Sequence, residues 1–234
     1  MEPWRIVAVA LLGVLLCGCA TESYFTSDSL NRAQGKPRIL VLPADVQLYE
    51  LSLGGMLEPN AEWTQSARSS VNQALTAQLA KMNVSFVAYA PPPEDSPEFL
   101  EVDQVQRLNR AVGSTIQAFH FSKPNRLPSK HDRFDWSLGP SAAILRRAGE
   151  ADYALFVVMS DSYSSPGRQV FRVLTAAAIG YLPPGGVQQG YASLVDLKTG
   201  EVVWFNRLQR GGGELRSAEP AAETVAQLLD KMPK

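Results

Sequence analysis

The sequence predicts an α/β fold, because short apolar runs typical of buried strands alternate with amphipathic helical segments. Residues 38–43 read Arg-Ile-Leu-Val-Leu-Pro, an apolar run that ends at proline, and residues 153–159 form a second run of this kind. Between them, apolar side chains recur every four residues, as on one face of a helix. These side chains are Trp63, Ala67, Val71, Leu75 and Leu79.

The first half of the chain is predicted as two strand–helix units. The strand at 38–43 leads through a loop with glycine and proline into a helix, for which Asn60 is the predicted N-cap. Asn83 ends that helix, and residues 84–89 form the second strand. The next helix begins after three prolines, with Ser96 as N-cap and proline at its first position. Its apolar positions are Phe99, Val102, Val105, Leu108 and Val112.

The middle of the chain is less regular. Gly113 predicts a kink in the second helix, and the polar and aromatic residues at 122–139 predict a surface loop. A short helix is predicted over residues 140–148. After the apolar strand, residues 162–167 are predicted as a turn, and a further strand can start at Gln169.

The last third predicts a hairpin followed by a helix. Residues 189–196 and 201–208 are the two strands, because Lys198-Thr199-Gly200 between them supplies a tight turn with glycine at a positive-φ position. The final helix is predicted from near Ser217. It carries the apolar residues Val225, Leu228 and Leu229.

A short apolar leader precedes the domain. Arg5 supplies its positive end, and residues 6–16 form an apolar core, shorter than the about 20 residues that span a bilayer but typical of a secretory signal. The leader ends in Leu-Cys-Gly-Cys at residues 16–19. A branched aliphatic residue three positions before a cysteine, with a small residue directly before it, is the pattern at which bacteria attach lipid. Cys19 is therefore the predicted lipidated N-terminus, and cleavage as a plain signal peptide or retention as an uncleaved anchor are the alternatives.

The predicted organisation has three parts. Residues 1–18 are a lipoprotein signal peptide, residues 19–36 are a lipidated flexible tether, and residues 37–234 are a single α/β domain. The tether prediction rests on polar composition. Ala20 follows the lipidation site where, in Gram-negative bacteria, an aspartate would favour retention in the inner membrane, so the outer membrane is favoured.

Charge and cysteine content exclude several function classes. The formal net charge is −1, and no basic stripe of the kind that binds nucleic acid is present in the sequence. Both cysteines, at positions 17 and 19, lie in the leader region. The predicted domain therefore has no thiol for a disulfide, a zinc site or a nucleophile.

The two histidines are candidate metal ligands. His120 and His131 could join Asp132 or Asp135, but the two histidines lack the i,i+4 spacing of a zinc-binding helix. Ordinary surface histidines are the favoured interpretation, and we expect no metal.

Serine chemistry and phosphate binding are also weakly indicated. Ser160-Asp161-Ser162 follows a buried strand, as a nucleophile elbow would, but lacks the flanking glycines, so a turn cap is favoured. The glycines at 211–213 precede a helix, where a phosphate cradle is possible in principle and a flexible connector is favoured. We expect no catalytic residue and no cofactor. The acidic pairs expected on the solvated surface are Glu94 with Asp95 and Glu101 with Asp103.

Residues 173–187 are rich in alanine and larger apolar residues. The favoured interpretation is a buried helix or strand in the core. The alternative is an exposed apolar segment that docks on a membrane or on another subunit, since exposed apolar patches mark such contacts.

Two C-terminal segments carry a resemblance to a known group. Residues 151–157 read Ala-Asp-Tyr-Ala-Leu-Phe-Val, and residues 192–204 read Ala-Ser-Leu-Val-Asp-Leu-Lys-Thr-Gly-Glu-Val-Val-Trp. They resemble bacterial lipoproteins whose domain is similar to the N-terminal domain of TolB, a group that includes the CsgG-type secretion lipoproteins. The resemblance implies a mixed-sheet α/β sandwich with helices packed on the sheet, without catalytic residues, that works by protein contact.

The expected function follows from the leader and the resemblance together. We expect a lipoprotein on the periplasmic face of the outer membrane, held by N-terminal acyl chains, that acts as a non-enzymatic assembly or accessory protein through contact with an envelope partner. The alternative is an oligomeric subunit of a CsgG-like secretion or transport complex. A hydrolase is the third hypothesis, and no triad, dyad or metal cluster in the sequence favours it.

Overall fold

A mixed eight-stranded sheet with helices on both faces organises the computed structural model, which describes residues 20–26, 30, 36–131 and 133–234. The strands are β1 (Ala20–Phe25), β2 (Arg38–Val41), β3 (Asp45–Leu51), β4 (Leu57–Pro59), β5 (Ser85–Ala88), β6 (Tyr153–Ser164), β7 (Gln188–Asp196) and β8 (Val202–Arg210). The α-helices are α1 (Ala61–Lys81), α2 (Pro97–Phe119), α3 (Pro166–Ile179) and α4 (Ala218–Leu228). Short 3-10 segments occupy Lys123–Asn125, Pro128–Lys130 and Gly139–Arg146. The predicted α/β class, with helices on a mixed sheet, is confirmed.

β6 is the central strand. The strand order is β1-β8-β7-β6-β2-β5, and β3 pairs with both β6 and β4 beside that path. β2 and β3 run parallel to successive halves of β6, so that Leu51 at the end of β3 lies opposite Ser164 at the end of β6. The first residue of β7, Gln188, pairs with Asp161 of β6 and with Arg210 of β8. The ends of β3, β6 and β8 and the beginning of β7 thus share one end of the sheet, which we call the α3 end because α3 follows β6 there.

Side chains of β6 alternate between two cores, one on each face of the sheet. One core packs the sheet against α1 and α4, and the other packs it against α2 and the 3-10 segment Gly139–Arg146. From β6, Tyr153, Leu155, Val157 and Met159 enter the first core, and Ala154 and Phe156 enter the second. Burial on both faces explains why residues 153–159 are an uninterrupted apolar run.

The helix boundaries in the first half follow the predicted caps. Asn60 Oδ1 accepts a hydrogen bond from the Trp63 backbone N–H at 3.0 Å, and Ser96 Oγ accepts one from the Phe99 N–H at 3.2 Å. Each bond satisfies a donor that the first helical turn leaves without a partner. The four-residue spacing of the first helix also holds, and its buried residues include Ala67, Val71, Leu75 and Leu79.

The segment between β2 and α1 contains two further strands, β3 and β4, where only a loop was predicted. In β3, Val46 and Leu48 are buried while Asp45 and Gln47 are more exposed. This alternation is the signature of a strand with one buried face. β3 turns back through residues 52–56 into β4, which pairs with it antiparallel.

The flexible tether predicted for residues 19–36 is wrong for residues 20–25, which form β1. β1 pairs antiparallel with β8, from Ala20 opposite Gln209 to Phe25 opposite Trp204. β1 thereby covers a strand edge whose backbone groups would otherwise lack sheet partners. Cys19 and the signal peptide, like residues 27–29 and 31–35, lie outside the described residues.

Gly113 serves packing where a kink was predicted. α2 continues through this position to Phe119. A Cβ on Gly113 would lie 2.2 Å from Cζ of Tyr191, so only a glycine permits the observed approach of helix and sheet.

Residues 166–179 depart furthest from the predictions. They form α3, where the end of a turn and a strand from Gln169 were predicted. Ser165 Oγ caps the helix by accepting a hydrogen bond from the Arg168 N–H at 3.3 Å, and Gly180 ends it in the left-handed conformation. None of the α3 residues is buried, so the interpretation of residues 173–187 as a buried helix or strand is wrong for residues 173–179.

The C-terminal predictions are confirmed. β7 and β8 form the expected hairpin, and Gly200 has a φ of 77° in its turn. Asp196 Oδ1 accepts hydrogen bonds from the backbone N–H groups of Lys198 and Thr199, at 2.7 and 3.1 Å. α4 follows Ser217, as expected.

Candidate functional site

The predicted lipidation site, Cys19, lies outside the described residues, but the next residue begins β1. Ala20 pairs with Gln209, Gln209 pairs with Gln189, and Gln189 pairs with Ser160 of β6. β1 therefore begins at the α3 end of the sheet. It lies three strand spacings, about 14 Å, from β6.

A buried polar network occupies the α3 end of the sheet, with Asp161 at its centre. Asp161 Oδ2 accepts hydrogen bonds from the Tyr163 hydroxyl and from Gln188 Nε2, both at 2.7 Å. Its Oδ1 accepts one from the Ser162 N–H at 2.9 Å. The side chain is 1% exposed, and these donors replace the water that burial removes.

The network extends across four elements. Gln188 Oε1 accepts a hydrogen bond from Arg210 Nε at 2.6 Å, and Arg210 also donates to the hydroxyl of Thr224 on α4. The Tyr163 oxygen accepts a hydrogen bond from the Leu215 N–H at 2.8 Å. β6, β7, β8 and α4 are therefore tied together at this end of the sheet.

Burial governs the protonation of the network. It raises the pKa of Asp161 above its ordinary value, against the opposite effect of the hydrogen bonds from Tyr163 and Gln188. Burial, with the neighbouring Asp161, also raises the pKa of the Tyr163 phenol. The phenol consequently stays protonated and donates to the carboxyl.

Asp161 and its two neighbouring serines do not form the predicted turn cap, because β6 continues through them to Ser164. Nor is Ser162 arranged as a nucleophile. Its Oγ donates to the Val187 carbonyl at 3.2 Å and accepts from the Val187 N–H at 2.9 Å. Ser160 lies on the face of β6 opposite to Asp161, in a groove that Arg110 and Tyr191 also line.

The histidines occupy different environments. His120 is buried in an aromatic cluster, with its ring centroid 4.2 Å from that of Tyr24 and 5.2 Å from that of Phe134. His131 is exposed, so the prediction of a surface histidine holds for His131 and is wrong for His120.

The two candidate carboxylate ligands are Asp132 and Asp135. Asp132 lies outside the described residues, and Asp135 Oδ1 pairs with Lys130 Nζ at 2.9 Å. The hydrogen bond from Lys130 lowers the pKa of Asp135. Among the residues that the structure describes, no group of three His, Cys, Asp or Glu side chains could hold a metal ion.

The glycines at 211–213 adjoin the buried network. A Cβ on Gly213 would lie 2.1 Å from Gln188 Nε2, so a larger residue here would displace the amide that donates to Asp161. That packing role replaces both the phosphate cradle and the flexible connector at Gly213. Of the acidic residues predicted on the surface, Asp103 forms an ion pair with Arg107 at 2.8 Å.

An open cleft of about 660 Å³ lies beside the network, with an aromatic wall. The ring centroids of Trp63 and Tyr163 are 5.6 Å apart in an edge-on arrangement. The Arg216 guanidinium lies 3.9 Å from the Tyr163 ring centroid and 4.8 Å from the Trp63 ring centroid. Its Nε donates a hydrogen bond to Glu214 Oε1 at 2.7 Å. Tryptophan, tyrosine and arginine are the residues that dominate binding energy at protein interfaces, so the cleft is suited to protein contact.

An exposed apolar surface flanks this cleft, and we call it the α3 surface. Arg168 connects α3 to the segment that follows it and to the turn between β3 and β4. Its guanidinium donates to the Pro184 carbonyl at 3.1 Å and to the Ser52 and Leu53 carbonyls at 3.5 Å. The exposed members are Leu53, Met56, Leu57, Val170, Phe171, Val173, Leu174, Ile179, Tyr181 and Leu182. No helix within the described part of the chain is long and apolar enough to cross a membrane.

Sequence reasoning missed the cleft and placed the α3 segment in the core. Trp63, Tyr163 and Arg216 are far apart in the chain, and no spacing links them. For α3 a signal was present, since Ser165-Pro166 repeats the Ser-Pro start that predicted α2.

Comparison with known proteins leaves the family open. No protein-family model matches the chain, and no curated protein matches it. Two solved structures of PelC dodecamers from Paraburkholderia phytofirmans, one of them a point variant, are each 15% identical to it. The alignments cover 92% of this chain and 99% and 96% of the PelC chains, with TM-scores of 0.43 and 0.41.

Proposed function

We propose that this chain is a lipid-anchored protein of the bacterial cell envelope that works by contact with other proteins. The observation that carries the proposal is the Leu-Cys-Gly-Cys motif at residues 16–19, which closes an apolar leader of signal-peptide length. Acyl chains on Cys19 would hold the domain at a membrane, since each buried CH₂ contributes about 0.8 kcal/mol.

The polar residues of the α3 end support a binding role over a catalytic one. The Asp161 carboxyl is buried and accepts hydrogen bonds from Tyr163, Gln188 and the Ser162 N–H. A general base must lie within hydrogen-bond reach of the substrate proton that it takes, and burial keeps this carboxyl away from the surface. Beside it, the cleft of Trp63 and Arg216 offers the aromatic and guanidinium groups of a protein interface.

The proposed location is the periplasmic face of the outer membrane. Ala20 supports it, because aspartate after the lipidated cysteine favours inner-membrane retention. We further propose a relation to the TolB-like and CsgG-like lipoproteins, whose resemblance lies in segments 151–157 and 192–204. These segments contribute to β6 and to the hairpin of β7 and β8.

Lipidation is tested by mass spectrometry of the N-terminus of the protein purified from bacterial membranes. We expect a mature chain that begins at an acylated Cys19, and we expect Cys19→Ser to abolish acylation. Cys17→Ser is the matched control and retains it, because residue 17 is removed with the signal peptide. An unacylated mature chain would refute the proposal.

The protein partner is sought by crosslinking in intact cells, with Cys19→Ser as the control that lacks the acyl anchor. A dominant envelope partner that disappears in the control supports an assembly or accessory role. Crosslinking in which no envelope protein depends on the anchor contradicts that role.

An oligomeric subunit of a secretion or transport complex is the second candidate. The exposed α3 surface favours it, because apolar surfaces of this kind are covered in assemblies. The mass of the detergent-extracted protein separates the two candidates. A ring-sized oligomer supports the complex, and a monomer supports the accessory role.

A further inference from the structure

We propose that the α3 surface inserts into the interface of the same membrane that carries the lipid anchor, as a second attachment of the domain. The inference rests on the proposed lipidation of Cys19. The α3 surface would therefore contact a lipid bilayer. It can reach this bilayer because Ala20, the residue after Cys19, lies at the same end of the sheet.

β1 places the proposed lipid anchor at the same end of the sheet as the α3 surface. Ala20 begins β1 at the α3 end of the sheet, and a peptide unit of about 3.8 Å separates it from Cys19. β1 is about 14 Å from β6, the strand that α3 follows. The turn between β3 and β4, with Leu53 and Met56, also lies at this end, since Leu51 pairs with Ser164. Anchor and apolar surface thus face the same side of the molecule.

The composition of residues 165–187 suits a membrane interface. Residues 165–187 contain no acidic residue, and their two charged residues are Arg168 and Arg172. Large apolar side chains there are solvent-exposed, including Ile179 at 73%, Val173 at 66% and Leu174 at 62%. Exposed apolar residues without acidic ones suit a helix that lies in a membrane interface, because the segment carries no carboxylate that anionic headgroups would repel.

α3 is oriented with its arginines toward the protein and its apolar face toward the outside. Arg168 and Arg172 are four residues apart and share one helix face, which faces the following segment. Arg172 Nε donates to the Pro183 carbonyl at 2.7 Å, and Arg168 donates to Pro184. Val170 and Leu174 lie on the opposite face by helical periodicity and are exposed. The arginines therefore hold the helix against the protein with its apolar face outward.

The length of the helix decides how it meets the membrane. Fourteen residues extend about 21 Å, less than the hydrocarbon core. α3 is consequently an interfacial element that lies along the membrane.

The test uses the full chain, purified from membranes and reconstituted in vesicles of phosphatidylethanolamine and phosphatidylglycerol. Because no cysteine follows Cys19, one introduced cysteine gives a single labelling site for an environment-sensitive fluorophore. Leu174→Cys reports on the α3 surface. Lys198→Cys is the matched control, exposed in the turn between β7 and β8 at the other end of the sheet.

We expect nitroxide-labelled lipids to quench the probe at position 174, and aqueous iodide to quench the probe at position 198. Adding Val173→Asp to Leu174→Cys should abolish lipid quenching without lowering Tm, because Val173 is exposed. Leu100→Asp, at an exposed apolar position on α2, should leave lipid quenching intact.

Three outcomes overturn the inference. Iodide quenching at position 174 equal to that at 198, with Cys19 acylated by mass spectrometry, refutes insertion and leaves the proposed function standing. Self-quenching between labels at 174 without lipid quenching shows that a second copy covers the surface. An unacylated chain refutes the proposed function, and the inference with it.

Discussion

Asp161 is the residue at which burial and charge conflict most directly. Its carboxyl is buried in β6, and three hydrogen bonds only partly offset the loss of water around it. The pKa of Asp161 is therefore raised in the folded protein. A raised carboxyl pKa means that the folded state binds this proton more tightly than the unfolded state.

The sign of the resulting pH dependence can be tested with Asp161→Asn. The contribution of this carboxyl to stability is greatest below its unfolded pKa of about 3.9 and falls as the pH rises through the raised folded pKa. The unfolding free energy of wild type minus that of Asp161→Asn should therefore decrease as the pH rises above about 4. Urea denaturation at several pH values measures it.

Carboxyl groups with lowered pKa values make stability rise with pH, which is opposite to the effect of Asp161. Their contributions cancel when the unfolding free energy of Asp161→Asn is subtracted from that of wild type. Asp135 beside Lys130 and Glu214 beside Arg216 both have lowered pKa values and are present in both proteins. Parallel stability curves for wild type and Asp161→Asn would contradict the raised pKa of Asp161.

At the scale of elements, α2 and β7 meet at a contact that excludes a side chain. Gly113 faces the ring of Tyr191, whose hydroxyl donates to the Asn109 carbonyl at 3.1 Å. The Ser193 hydroxyl donates to Asn109 Oδ1 at 2.9 Å. Helix and strand are thus joined by buried hydrogen bonds to Asn109, one helical turn before the glycine.

Gly113→Ala should destabilise the protein although alanine favours helices. A Cβ 2.2 Å from the Tyr191 ring forces helix and sheet apart, and overpacking of this kind costs about 1–3 kcal/mol. The gain in helix propensity is about 1 kcal/mol. Chemical denaturation should show a net loss, while the adjacent exposed Ser114→Ala changes stability little. Equal or greater stability of Gly113→Ala would show that the contact is looser than the structure indicates.

At the scale of the whole molecule, β1 decides how far the domain lies from its proposed anchor. A flexible tether of residues 19–36 would span roughly 20–25 Å. With residues 20–25 in the sheet, that reach is lost, and the α3 end is held next to Cys19. Tyr24 secures the strand, since its ring centroid lies 4.2 Å from that of His120 and 5.2 Å from that of Phe121.

Tyr24→Ala should loosen β1 and leave the rest of the sheet intact. Losing the aromatic contacts removes packing that holds this edge strand, and edge elements open at low free-energy cost. Hydrogen exchange should accelerate for residues 20–25 and stay unchanged in β6. Ser23→Ala, one position away, serves as the control. Unchanged exchange in β1 after Tyr24→Ala would mean that backbone pairing alone holds the strand.

Local sequence patterns determined much of the fold. Caps at Asn60 and Ser96, the four-residue spacing in α1, and the turn at Gly200 were all predictable, because each depends on side chains that are neighbours along one element. The alternation in β3 and the Ser165-Pro166 start of α3 were also present in the sequence. The motif at residues 16–19 belongs to the same class, and it remains the basis of the proposed anchor.

Only the tertiary structure decided what these elements contact. β1 has polar residues typical of a tether, and its pairing with β8 comes from backbone groups that composition does not reveal. α3 is apolar enough for a core, yet the cores on both faces of the sheet are filled by other helices. The cleft of Trp63, Tyr163 and Arg216 joins residues from three distant segments. Exposure of an apolar segment depends on which partners the folded chain leaves for it, and no local pattern contains that information.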